Sequence, residues 1–173
     1  MKRLKTPLDK DQIRSLKAGD EVLLSGVVYT ARDQAHLRLA QALKEGRVLP
    51  IDLKGAVIYY CGPNPAPKGK IIGSCGPTTS KRMDEFTPAL LKKGLAGMIG
   101  KGSRAQEVDK SIRKHKAVYF LAYAGCGALM TEYIKSKKLT LYKELGPEAI
   151  LRLEVRDFPL IVGTDSRGNS VYD

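Results

Sequence analysis

The chain contains no tryptophan, and only three phenylalanines, two histidines and three cysteines in 173 residues. The shortage of cysteine and histidine bears on metal chemistry. Cys61, Cys75 and Cys126 include no pair at C-x-x-C spacing, and His36 and His115 are the only imidazoles, so a zinc or cluster site made by this chain alone is not expected. An odd cysteine count in a mid-sized chain argues against a disulfide framework and for a reducing cytoplasm. No charge-free apolar run approaches the ~20 residues of a transmembrane helix. The basic start "MKRLKTPLDK" leads into no apolar signal core. Neither G-x-G-x-x-G nor the Walker spacing occurs, and nothing reads as a Ser-His-Asp arrangement.

Acidic residues are short as well, 18 against 30 basic ones, for a formal charge of +12. That excess suits a nucleic acid, an acidic protein partner or a small anionic substrate. The clusters "KSIRKHK" (110–116) and "KSKK" (135–138) carry no interleaved aromatics and no recognition motif, so they read as solvated helix faces. No nucleic-acid partner and no membrane partner are expected.

What is present is a hydrophobic content of 43%, enough for one domain over residues 1–173 with its own core. "EVLLSGVVYT" (21–30) reads as a strand. In the following "ARDQAHLRLAQALKEG", Ala35, Leu39 and Leu43 recur at steps of four, and Gly46 is a plausible stop, so a helix is expected. "GAVIYYCGP" (55–63) reads as a buried strand, "KIIGSCG" as a short one, and a helix is expected from Pro77. Thr87 reads as the cap of another helix, with Pro88 at its first position. "LAGMIGKG" (95–102) and "AVYFLAYAG" (117–125) are strand-like, and between them Ser103 and Gln106 have capping-box spacing. "ILRLEV" and "PLIVG" read as two further strands. Strands alternating with helices make the class α/β.

Three strand-to-helix junctions offer a cation, at the edge where α/β sheets bind ligands. In "GPTTSKR" (76–82), a helix beginning at Pro77 would favour an anion and place Thr78 and Arg82 on one face. The alternative is a capped helix with a surface arginine. In "TARDQAH" (30–36), Arg32 could reach a crevice; otherwise it is solvated, Asp33 caps the helix and His36 is packed or exposed. In "GKGSR" (100–104), Lys101 sits between glycines that let the backbone approach a ligand, or simply occupies a tight turn. Together the three suggest a pocket for a small polyanion. Arg32, Arg82 and Lys101 could grip both ends of a dicarboxylate.

In order along the chain, "VVYTARDQAH", "YYCGPNPAP", "IGSCGPTTSKRMD", "LLKKGLAGMIGKG" and "LGPEAILRLEVRDFPLIVGTDSRGN" resemble the β subunit of class I (iron–sulfur) fumarate hydratase, a family that includes the L-tartrate dehydratase β subunit. The resemblance runs from about Leu4 to the end. "AYAGCGALM" departs from it, since the family more often has a glycine-glycine-alanine run there, and this leaves the role of Cys126 open. The resemblance implies a swivelling β/β/α domain, a mixed sheet flanked by helices. It implies reversible hydration of fumarate to L-malate, with L-tartrate or a related dicarboxylate as the alternative substrate. It implies a 4Fe-4S cluster acting as Lewis acid, whose cysteine ligands belong to an α subunit in a heterodimer or heterotetramer. Carried over by motif, Arg32 and Arg82 would bind substrate carboxylates, Lys101 would complete the clamp, and Thr78 would be the base that removes the proton beside the carboxylate. A threonine needs a group to take its own proton onward; in the family an aspartate of the other subunit is expected to help. Two readings of another kind stay open at this point: a basic nucleic-acid-binding domain and a free-standing anion-binding module.

Overall fold

The computed structural model describes residues 1–173. The elements in order are β1 (Lys2–Lys5), α1 (Lys10–Arg14), β2 (Glu21–Thr30), α2 (Asp33–Lys44), β3 (Val57–Tyr59), α3 (Thr87–Lys92), β4 (Gly97–Gly100), α4 (Gln106–His115), β5 (Val118–Leu121), α5 (Gly127–Met130), β6 (Ile134–Leu141) and β7 (Ile150–Thr164). A 3₁₀ turn spans Ser80–Met83.

The sheet closes on itself. β2, β3, β4 and β5 run parallel as neighbours in that order. β7 then pairs antiparallel with β5 at one end and along most of β2 at the other, so one long strand joins the two sides of the parallel set. β1 adds to the start of β2, and β6 lies against the first part of β7. This is the α/β class and the helix-flanked mixed sheet expected from the sequence, closed in the barrel-like manner of a β/β/α domain.

Side chains alternate across a strand, and here both faces are buried. Val57, Tyr59, Ile99, Val118 and Phe120 point into one core cluster with Leu24, Val28 and Phe158. Ile58, Tyr60, Met98 and Tyr119 point into a second, beneath Ala35, Leu39, Leu90 and Ile112 of the helices. Two-sided burial explains why β3 to β5 read as continuous apolar runs rather than alternating ones.

Several local expectations are corrected. No helix starts at Pro77: Thr78 donates its N–H to the Tyr60 carbonyl (2.6 Å) and Thr79 forms a parallel bridge with Lys101, so sheet pairing overrides the proline signal until the 3₁₀ turn. "KIIGSCG" forms no strand. Thr87 begins α3 but does not cap it; its hydroxyl donates back to the Met83 carbonyl (2.8 Å). Ser103 does not cap α4. The Asp84 carboxylate, distant in sequence, accepts from Ala105 N–H (2.7 Å) instead. "ILRLEV" and "PLIVG" are one strand, β7, with Asp157 at φ 50° as its kink. "KSKK" lies on β6 and not on a helix. Its exposed lysines sit on an edge strand, where charge discourages pairing with another chain. "KSIRKHK" does lie on α4 and its end.

Candidate active site

The parallel strands deliver their C-terminal ends to one edge of the barrel. Arg32 and Asp33 follow β2, Tyr60 to Gly62 follow β3, and Lys101 follows β4. The run Thr78–Arg82 returns to that edge in extended form. Thr78 is held by the Tyr60 carbonyl, Thr79 by its bridge to Lys101, and Ser80 N–H donates to the Lys101 carbonyl (3.0 Å). Gly100 makes this possible. A Cβ there would collide with Ser80 Oγ and come within 2.9 Å of Tyr60 Cδ2. Gly102 follows at φ 79°, a left-handed turn that glycine adopts without penalty.

The two arginines meet at one carboxylate. Arg82 Nε donates to Asp33 Oδ1 (2.9 Å), and Arg32 Nε stands 3.7 Å from Asp33 Oδ2. The Arg32 side chain is 27% exposed and that of Arg82 52%. Arg32 runs over the bare backbone of Gly62, where a Cβ would sit 2.9 Å from Nη1 and 3.2 Å from the Pro147 carbonyl. Arg32, Asp33 and Arg82 thus form one group through side chains. Thr78, Thr79 and Lys101 form another through the backbone, and the chain from Thr78 to Arg82 connects them. Thr78 and Lys101 are half-buried. The helix-end anion cradle expected at Pro77 is not the device used here, because Thr78 precedes a four-residue 3₁₀ turn.

Beneath this edge lies a residue that sequence reasoning missed. The Arg104 side chain has no exposed surface. Its Nε donates to Asp84 Oδ1 (2.6 Å), Nη1 to Tyr60 Oη (3.2 Å) and Nη2 to Thr87 Oγ1 (2.9 Å). The guanidinium carbon lies 4.9 Å from the Tyr119 ring centroid and 5.3 Å from that of Tyr60, within cation–π range. Tyr119 Oη in turn joins Ser80 Oγ and the Gly102 carbonyl, both at 2.8 Å. Burial pushes the Tyr119 phenol well above its usual pKa. This network ties the Ser80–Met83 turn to the loop after β4. The only local hint was "SR" before an amphipathic helix.

His36 is also fully buried. Its Nδ1–H donates to the Arg32 carbonyl (2.8 Å), its ring edges against Tyr60 at 5.2 Å, and Nε2 has no partner. Burial lowers its pKa to about 4, so the ring is neutral at physiological pH. Of the readings open in the sequence, the packed one holds.

The cysteines form one bridge and no framework. Cys61 and Cys75 are bonded to each other, with Cα atoms 5.9 Å apart, and Cys126 is free and half-buried. An odd count excludes full pairing, not a single bridge between the end of β3 and the segment that returns to it. No group of three or more His, Cys, Asp or Glu side chains is placed to hold a metal ion, so the residues of this chain do not fit an iron–sulfur cluster. No helix is long and apolar enough to cross a membrane. A cavity of about 750 Å³ opens at the opposite edge, where Gly55, Ala96 and Lys116 precede β3, β4 and β5, and none of Arg32, Thr78, Arg82 or Lys101 lines it.

The family model described as "Fumarase C-terminus" matches residues 2–173. The chain is 40% identical over 172 residues to a Methanocaldococcus jannaschii protein described as "Putative L(+)-tartrate dehydratase subunit beta", covering 96% of this chain and 88% of that one. It is 35% identical over 173 residues to "Fumarate hydratase 2" of Leishmania major, covering 98% of this chain and 30% of that one. Against "Fumarate hydratase class I, aerobic" of Escherichia coli (strain K12) it is 36% identical over 163 residues, covering 93% and 30% respectively. The chain therefore spans nearly all of a separate β subunit but less than a third of the fumarate hydratases. A match over almost every residue to the family model, joined to these identities, places the chain in the Fumarase C-terminus family, the β region of class I fumarate hydratases.

Proposed function

We propose that the chain is the β subunit of a two-subunit iron–sulfur hydro-lyase and that its substrate is a small dicarboxylate, fumarate in exchange with L-malate. The observation that carries this reading is the meeting of Arg32 and Arg82 on one carboxylate at the barrel edge, one short extended run away from Thr78 and Lys101. Guanidinium groups suit two-pronged binding of carboxylates. In this reading Arg32 and Arg82 take the substrate carboxylates, and Lys101 completes the clamp. Thr78 Oγ1 takes the proton from the carbon beside the carboxylate.

A lone threonine hydroxyl is a poor base. It must pass its own proton on as it accepts the new one. The reading assigns that onward acceptor to an acidic group of an α subunit, so the site is completed at the subunit interface. The 4Fe-4S cluster is likewise assigned to the α subunit, where it would supply Lewis acidity toward the substrate hydroxyl. The exposed flank of Thr79, Lys81 and Arg82 leaves room for such a partner. The excess of basic residues suits both an acidic partner and a dianionic substrate. A cytoplasmic setting belongs to the same reading.

L-Tartrate is the second reading, favoured by the β subunit from Methanocaldococcus jannaschii, a separate chain of similar length that carries that name. One experiment tests both. The chain is co-expressed with an α chain carrying the cluster cysteines, and the complex is assayed on fumarate, L-malate and L-tartrate. A brown complex that dehydrates one of these, beside a colourless and inactive single chain, is the expected result. Activity of the single chain, or none from a cluster-loaded complex on any of the three, contradicts the proposal.

A further inference from the structure

A clamp for a dianion gains nothing from a negative charge of its own, yet Asp33 puts one between its two arginines. The carboxylate is 25% exposed and lies on the Nε edge of each guanidinium. On Arg82 that contact is a hydrogen bond of 2.9 Å. On Arg32 it is an ion pair at 3.7 Å, too long for a hydrogen bond, and both Arg32 Nε and Asp33 Oδ2 are buried without a hydrogen-bond partner. A guanidinium presents its donors in a rigid planar fork. With Asp33 on the Nε edge, the Nη groups remain for another carboxylate.

We infer that Asp33 is a positioning residue that holds Arg32 and Arg82 by their Nε edges and so presents both forks to the substrate, an inference that rests on the clamp proposed above. The sequence supplies the anchor economically. Asp33 opens α2, where an acid in the first turn is favourable, and it stands next to Arg32 in the chain. Arg82 arrives from a residue 49 positions away and is half-exposed, so without Asp33 it would be free to sample many rotamers. Ordering it before the substrate arrives lowers the cost of binding.

Two opposed effects make this testable. Removing the carboxylate raises the positive charge of the site, and Coulomb attraction alone then tightens the binding of a dicarboxylate. Loss of positioning weakens it. The measurement is steady-state kinetics of the assembled complex on fumarate, L-malate and L-tartrate for the wild type, Asp33→Asn, Asp33→Ser, Asp33→Glu and Arg82→Lys. Asp33→Asn should raise KM at least about tenfold while kcat stays within about threefold, the signature of an interaction present in both ground and transition states. Asp33→Ser, which still suits a helix start, should do the same and carries the test if the asparagine variant does not fold. Asp33→Glu should recover part of the loss. A KM equal to or below wild type in the uncharged variants, with Arg82→Lys still impaired, overturns the role of Asp33 and leaves the clamp standing. A fall in kcat at constant KM also overturns it. Unimpaired kinetics in Arg82→Lys removes the clamp and the inference with it.

Discussion

Arg104 and Asp84 form an ion pair of 2.6 Å between side chains that are 0% and 10% exposed. The pair links the start of α4 to the turn that carries Arg82, because Asp84 also accepts the Ala105 N–H. Breaking a buried pair from one side leaves the other charge unpaired, at a cost of about 3–5 kcal/mol. Arg104→Met should therefore lower the unfolding free energy by that amount in urea. Adding Asp84→Asn should cost less than the sum of the single changes, since the residues are in direct contact. Strict additivity would show that the pair is not coupled.

His36 predicts an acid-sensitive fold. Its pKa is lowered by burial from 6.5 to about 4, with the bond to the Arg32 carbonyl offsetting part of the shift. Between those values the unfolded chain binds a proton that the folded chain refuses. Stability is then fully present above about pH 6.5 and is lost as pH falls toward 4, by about 3 kcal/mol for this group at ~1.4 kcal/mol per unit. His36→Phe should flatten the fall in Tm over that window relative to wild type, even if it lowers Tm at pH 7. Parallel profiles for the two proteins would contradict the assignment.

Gly100 predicts a coupling between fold and site. An added methyl would strike Ser80 Oγ and approach Tyr60 Cδ2 at 2.9 Å. Gly100→Ala should cost about 1–3 kcal/mol, as overpacking does, and should lower kcat/KM of the complex by displacing the Thr78–Arg82 run. Gly102→Ala is the control. Nothing lies within 4 Å of its added Cβ, and only the left-handed backbone at φ 79° opposes it. Equal loss of activity in both variants would show that the Ser80 contact does not set the site.

Much of the scaffold was legible because it follows local rules. "EVLLSGVVYT" is rich in β-branched and apolar residues and forms β2 over the same residues. The step of four in Ala35 and Leu39 sets the buried face of α2. Elsewhere tertiary contacts outweighed local signals. Pro77 announces a helix, yet the Tyr60 carbonyl and Lys101 capture the next residues into the sheet. The lysines of β6 hide its strand character, because an exposed edge needs no apolar alternation. Arg32 and Arg82 were legible as cations at expected strand-to-helix junctions, although only Arg32 follows a strand. Their shared carboxylate was not, since Asp33 reads equally well as a helix-opening acid. Arg104 could not be found at all, as its partners Asp84, Tyr60 and Thr87 lie 20, 44 and 17 residues away.

If Thr78 moves a proton at carbon, exchange of the malate C3 hydrogen with solvent depends on its hydroxyl. Thr78 caps no helix here, so Thr78→Ala should leave Tm nearly unchanged. In the assembled, cluster-loaded complex the alanine variant should lower kcat by about 100-fold or more at similar KM. It should also nearly abolish C3–hydrogen exchange, and Thr78→Ser should restore part of both. A folded, cluster-loaded Thr78→Ala complex that exchanges the C3 hydrogen at the wild-type rate would contradict the account and move the base to another residue.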